Sequence, residues 1–315
     1  MNLQQFEYID ALERTGHFGQ AAAACFVTQP TLSMMIKKLE EELGVQIFYR
    51  DRQPITPTRE GAEIIAHGRR ILHQTALLRD YVSELREEVS GTLRIGIIPT
   101  LAPYLAPLFL QKLAEEHPRL HIAVKEALTD DLMVMLKKGE ADAALAATPL
   151  HDPALREERI FDEELWVYAG SSEGLSAQTL LTPQDINLEH LWLLEEGHCL
   201  RVQVYDLCRL RELHARRHNL NYEAGSIETL INLVDAQGGV TIIPALAARL
   251  LSSEQRPNLY RFCEPQPMRE ISLVSLNVYP RKRLLARLLN CIKSNIPRQA
   301  GSPTGDVVSP TQTGA

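Results

Sequence analysis

The chain has 315 residues, 45% of them hydrophobic and 23% charged, with 33 Lys and Arg against 40 Asp and Glu for a net charge of −7. That length suits about two domains of ~150 residues, and the composition excludes a disordered, collagen-like or purely coiled-coil chain. The acidic balance argues against a globally basic nucleic-acid coat or a membrane-surface binder, while leaving room for a local DNA-reading face.

Met1 to Glu7 carries neither the basic nor the apolar stretch of an export signal. No apolar run reaches the ~18 residues of a membrane helix, so the expectation is a cytoplasmic protein with no membrane partner. Leu3, Phe6, Ile9 and Leu12 then recur every three residues and predict a first helix. Gly16-His17-Phe18 interrupts it, and Ala21 to Cys25 makes a second, small-residue helix. Thr28 can cap a third, with Pro30 in its first turn. Leu32, Ile36, Leu39 and Leu43 form its buried stripe until Gly44 stops it. The punctuation from Arg50 through Gln53-Pro54 to Thr56-Pro57-Thr58 predicts a two-stranded wing.

Residues 59–90 follow a heptad rhythm. Ile64, Ile71, Leu78 and Leu85 are seven apart, with Thr75, Val82 and Val89 as a second series and Gly68 as the weak point. Such a helix either lies on its own domain or pairs with a second copy, and its narrow seam and charged flanks favour pairing.

From Gly91 strand and helix alternate: strands at 92–98, 120–127 and 141–147, helices at 103–116 and 130–138. This βαβαβ order predicts an α/β fold with a parallel sheet and right-handed crossovers. A second set has strands near 165–168, 191–194, 221–223 and 240–243. A late strand over 270–278 and a closing helix over 281–296 suggest a return to the first lobe, leaving a cleft between two lobes. Residues 298–315 lack apolar periodicity and are expected to be a disordered tail.

A helix, a turn and a second helix followed by a wing fit either a protein-interaction module or a helix-turn-helix whose second helix enters the major groove. In the second reading Gln29, Thr31 and Ser33 reach base edges or phosphate, with Pro30 and Met34 beside them. Lys37 shares their polar side, and Arg50 and Arg52 neutralise phosphate from the wing. Residues 1–90 hold 10 basic and 13 acidic groups, so the run Glu40-Glu41-Glu42 must point away from the groove.

Gly16-His17-Phe18, Ala21-Ala22, Gln29-Pro30-Thr31-Leu32-Ser33, Lys38-Leu39-Glu40, Leu43-Gly44-Val45 and Arg50 resemble the winged helix-turn-helix of LysR-type transcriptional regulators. The resemblance extends to about residue 297. It implies an N-terminal winged helix-turn-helix (1–58), a dimerising linker helix (59–90) and a two-lobed, periplasmic-binding-protein-like regulatory domain (91–297). Implied partners are double-stranded promoter DNA, a second copy of the chain as dimer or tetramer, and RNA polymerase.

Five cysteines, an odd number in a cytoplasmic chain, do not make a disulfide scaffold, so any disulfide is transient and functional. The stretch from Leu193 through His198-Cys199-Leu200-Arg201, with Cys208, resembles the peroxide-sensing segment of the OxyR subgroup of that family. Ile97 to Thr100, Glu126-Ala127 through Thr129, and Glu228-Thr229-Leu230 also match. The resemblance implies a reversible Cys199–Cys208 disulfide, with Thr100, Thr129 and His198 holding peroxide and Arg269 near the reactive cysteine. It also implies a thiol reductant such as glutaredoxin or thioredoxin. Val202 stands where that subgroup has an acidic residue, which removes a charge partner from Arg201.

Physical chemistry points the same way. A helix N-terminus at Cys199, with His198 and Arg201 beside it, favours a thiolate, and a sulfenic acid formed there condenses with a second thiol. A metabolite regulator with Ser226 and Thr229 lining the cleft is the alternative. The fused DNA-reading region argues against a thiol peroxidase, so no enzyme is expected. The spacing of His198, Cys199, Cys208, His214 and His218 fits no common zinc pattern, so neither metal nor cofactor is expected. Cys25, Cys263 and Cys291 are expected to be small core hydrophobes.

Overall fold

The computed structural model describes residues 1–85, 89–175, 180–208, 222–297 and 306–308. Its first unit, Met1–Glu88, starts with α1 (Leu3–Thr15) at a capping box: Asn2 accepts from the Gln5 amide and Gln5 from the Asn2 amide. Helices α2 (Phe18–Ala24) and α3 (Gln29–Leu43) follow. Thr28 caps α3, and Gly44 ends it at a φ of 68°. Phe6, Ile9, Leu12, Leu32, Ile36 and Leu39 meet in one core. Leu3 and Leu43, at the ends of their stripes, stay exposed instead. The wing pairs β1 (Phe48–Tyr49) with β2 (Thr56–Pro57). Glu40, expected merely to face away from DNA, ties that wing to α3 by accepting from the Ile47 amide at 2.8 Å and from Arg50 at 2.7 Å.

Helix α4 spans Arg59–Leu85. Ile64 and Leu72 pack on the core, and Arg69 pairs with Asp10 and Glu13 of α1. A Cβ at Gly68 would lie 2.8 Å from the Phe6 ring, so this glycine lets α4 cross α1 rather than marking a weak point. Farther along, Ile71, Leu78 and Val82 are exposed; the side chain of Leu85 is outside the described residues.

The second unit begins at Val89. It contains β3 (Gly91–Ile97), α5 (Ala102–Glu116), β4 (Leu120–Glu126), α6 (Thr129–Lys138), β5 (Ala143–Thr148) and β6 (Leu155–Ala169). After these come α7 (Cys199–Leu207), α8 (Ile227–Gln237), β7 (Val240–Pro244), α9 (Ala245–Ala248), β8 (Leu259–Tyr260), β9 (Pro267–Leu276), α10 (Lys282–Asn295) and β10 (Asp306–Val307). The sheet path is β4-β3-β5-β9-β6-β7. Only β4, β3 and β5 are mutually parallel along it; β9, β6 and β7 each join antiparallel. The parallel sheet expected from the first βαβαβ run is therefore present, and the later strands, whose direction the sequence did not predict, join it antiparallel.

Strand β6 is fifteen residues long, where only its end at 165–168 was expected. Its first half, with Arg156, Glu157, Glu158 and Arg159, lacks a continuous apolar signal, and pairing with β9 from Leu155↔Leu276 onward makes it a strand. The expected strands near 191–194 and 221–223 reduce to single bridges, Leu191↔Val240 and Leu194↔Ala224; Asn221 lies outside the described residues. The chain does return to the first lobe. Before α10, the buried Arg281 donates to Ser90 O and Thr92 O, and α10 packs on α5.

Asp306–Val307 pairs parallel with Pro267–Met268 of β9, which corrects the expectation of a structureless tail at that point. The rest of 298–315, and His214 and His218, lie outside the described residues. Among the described residues no helix is long and apolar enough to cross a membrane.

Candidate functional site

Gly197, at a φ of 92°, turns the chain into α7 so that Cys199 becomes its first residue. A Cβ at Gly197 would press on Leu128. Cys199 is buried, and Cys208 caps the other end of the helix, its amide donating to Val204 O at 3.0 Å. All five cysteines are free thiols. Of the three expected in the core only Cys291 is buried; Cys25 and Cys263 are half-buried.

The expected thiolate-favouring surroundings are only partly present. Burial pushes the Cys199 thiol up from its ordinary value, and the Arg269 charge, the Thr129 and Thr100 hydroxyls and the Leu200 amide oppose that rise. Arg269 is fully buried on β9. It donates to Glu163 at 2.9 Å, to Thr100 Oγ1 at 3.0 Å and to Thr100 O at 3.1 Å. Glu163 is buried too, sits opposite Arg269 in the β6–β9 register, and also accepts from the Leu246 amide. Only this pairing makes a buried cation next to Cys199 tolerable.

Thr100 lies in the turn between β3 and α5. Leu128 holds the cap position of α6, and Thr129 is its first residue. Its hydroxyl is consequently buried without a full hydrogen bond, close enough to Cys199 to favour the thiolate.

His198 is buried as well. Desolvation holds its imidazole below the ordinary value against the pull of Glu195, so it is neutral near pH 7 and its help to Cys199 is hydrogen bonding rather than charge. Its Nε2 lies 3.6 Å from Glu195, and its Nδ1 has no partner among the described residues. A proton held toward the carboxylate leaves Nδ1 as an acceptor. Arg201 points elsewhere, to Leu194 O and Tyr205, so it does not join the pocket. Cys208 is pushed up to about 11 by burial.

Ser226 caps α8, accepting from the Thr229 amide at 3.2 Å, and their hydroxyls lie 3.1 Å apart. The first turns of the two lobes' helices are tied by Tyr104, which donates to Glu228 at 2.6 Å. Among the described residues no cluster has the makings of a metal site.

On α3, Gln29, Pro30, Met34 and Lys37 are exposed and Thr31 and Ser33 half-buried, along one side as the stripe requires. Arg52 is exposed over the Tyr49 ring. Arg50, expected to be free for phosphate, is engaged by Glu40. Phe26, fully exposed at a φ of 56° in the turn between α2 and α3, carried no sequence signal. Glu163 carried none either, because its partner is 106 residues away.

Two family descriptions match: "Bacterial regulatory helix-turn-helix protein, lysR family" over residues 3–62 and "LysR substrate binding domain" over residues 86–297. The "Hydrogen peroxide-inducible genes activator" of Haemophilus influenzae is 32% identical, covering 94% of this chain and 97% of that one. The "DNA-binding transcriptional dual regulator OxyR" of Escherichia coli is 33% identical over 94% and 96%. Full-length OxyR from Pseudomonas aeruginosa, with an aspartate substituted for a cysteine, superposes at a TM-score of 0.72 with 31% identity, over 93% of this chain and 98% of that one. A cysteine-to-serine variant of Corynebacterium glutamicum OxyR with hydrogen peroxide bound has a TM-score of 0.61 at 28% identity, over 93% and 92%. This chain belongs to the LysR family of bacterial transcriptional regulators.

Proposed function

We propose that the protein senses hydrogen peroxide through a reversible Cys199–Cys208 disulfide and thereby controls the transcription of oxidative-stress genes from promoter DNA. One observation carries this reading. Thr129 Oγ1, buried without a full partner, lies beside the buried Cys199 thiol; the preceding residue, His198, has a buried and unpartnered Nδ1; and the helix that starts at Cys199 ends at a second thiol. Hydrogen peroxide supplies the donors and acceptors that such orphans need. The names of the relatives and the peroxide in one similar structure support it.

The Cys199 proton passes to His198 Nδ1, and Arg269 with the first turn of α7 holds the thiolate. The thiolate sulfur attacks one peroxide oxygen; the S–O bond forms as the O–O bond breaks, and hydroxide leaves to become water. The Cys208 thiol then attacks the sulfenic sulfur, forming S–S and releasing a second water. Two thiols thus lose two electrons and reduce one peroxide to two waters. Nine residues of helix at ~1.5 Å each put the two α-carbons roughly 13 Å apart, whereas a disulfide needs about 4.4–6.8 Å. Residues 200–207 must therefore unwind, which converts a bond into a two-state rearrangement. That rearrangement shifts the lobes and the paired α4 helices, moves the α3 helices on DNA, and changes contacts with RNA polymerase. A cytoplasmic glutaredoxin or thioredoxin resets the thiols.

The test is one equivalent of hydrogen peroxide on the reduced protein, followed by peptide mapping. A rapid Cys199–Cys208 disulfide, absent in Cys199→Ser, is expected. Two free thiols would overturn the reading and direct attention to a metabolite at Ser226 and Thr229.

A further inference from the structure

We infer that residues 306–308 form an intramolecular strap, docked between β9 and α7, that holds α7 helical and slows disulfide formation; the kinetic half rests on the redox reading above. The strap is bound on both sides. The Val308 amide donates to Met268 O on β9 at 2.7 Å, and the Val308 carbonyl accepts from Gln203 Nε2 on α7 at 2.9 Å. Gln203 sits four residues after Cys199, in the middle of the segment that must unwind, and is fully buried.

The dock exists because β9 outruns its neighbour. Strand β5 covers β9 only from Glu270 to Val274, on the edge opposite β6. The backbone at Pro267–Met268 is left with an open edge, and Asp306–Val307 fills it as a parallel strand. The next residue, Arg269, holds Thr100 and Glu163 beside Cys199. The strap therefore spans from the floor of the redox site to the helix that the disulfide has to melt.

Unwinding α7 pulls the Gln203 amide away from Val308 O. Its Oε1 already has no partner among the described residues, so a displaced Gln203 would have to be rehydrated or paired anew. A net hydrogen bond of this kind is worth a factor of about 2 to 10 in an equilibrium. The residues concerned lie beyond the LysR match, which ends at 297. The threshold for switching is thus set partly by a segment outside the family fold.

The test uses the reduced full-length protein, the Val308→Pro variant, which lacks the amide that donates to Met268, and a chain shortened to end at residue 305. Amide hydrogen exchange over 200–207 is expected to rise about 2- to 10-fold in both variants, with α5 unchanged. Disulfide formation with one equivalent of peroxide should accelerate by the same factor. Exchange over 200–207 that matches the parent in both variants would overturn the strap. If α7 loosens but no version forms the disulfide, the strap stands and the redox reading fails.

Discussion

Replacing Thr129 with valine separates a hydroxyl that serves chemistry from one that serves the fold. Its Oγ1 is buried without a full partner, and an unsatisfied buried hydroxyl costs about 1–3 kcal/mol. A methyl of nearly the same volume removes that cost. A gain of about 1 kcal/mol raises Tm by roughly 2–4 °C in a domain of this size. Reactivity should move the other way. Thr129 favours the Cys199 thiolate, and a hydrogen bond to a charged group is worth about 1.5–3 kcal/mol. Lost from the transition state, it slows peroxide attack roughly 10- to 150-fold. Sulfenic acid at Cys199 would be trapped with dimedone in a Cys208→Ser background, and Tm read by thermal unfolding in the same samples. A Tm lowered by several degrees with an unchanged rate would refute the reasoning, because the hydroxyl would then be structural.

Glu163→Gln leaves the buried Arg269 guanidinium without its counter-charge and should cost about 3–5 kcal/mol in urea unfolding. The double variant Glu163→Leu, Arg269→Met should recover most of it, and a cost below about 1 kcal/mol for Glu163→Gln contradicts the pair's role. Burial lowers the folded-state pKa of His198, so the unfolded chain binds that proton more readily. The stability it supports is full above the unfolded value of about 6.5 and is lost as pH falls below it. His117 is lowered too, so the informative quantity is the Tm difference between the protein and His198→Asn from pH 8 to 5; a flat difference argues against a buried neutral imidazole. With Cys208 pushed up to about 11, its alkylation by iodoacetamide in Cys199→Ser should still be accelerating past pH 9, where an ordinary thiol levels off. For DNA, Arg52→Ala should lower the slope of log affinity against log salt by about one, read by titration at several salt concentrations; an unchanged slope places Arg52 off the phosphates.

Much of the DNA-reading unit was legible because its determinants are local. Thr28, Pro30 and Gly44 bound α3 within one turn of its ends, and the spacing of Leu32, Ile36 and Leu39 dictates which side faces out. The placement of Cys199 at a helix start followed from the same short-range signals, whereas the end of that helix at Cys208 came from the structure. Arg50 shows the limit, since its partner Glu40 was read only as charge to be kept from DNA.

The sequence by itself determined the two-part architecture, the helix that presents Gln29 to Lys37, and two thiols nine residues apart with the first at a helix start. Tertiary structure alone decided what those thiols experience. The antiparallel register of β6 and β9 brings Glu163 to Arg269, the cap at Leu128 strands the Thr129 hydroxyl, and the short reach of β5 opens the edge that residues 306–308 occupy. The two pairings join segments tens to about a hundred residues apart, and the Thr129 hydroxyl is buried beside Cys199, seventy residues on. Periodicity and capping report a residue's neighbours within a turn or two, whereas desolvation and strand pairing depend on which distant surface closes over it.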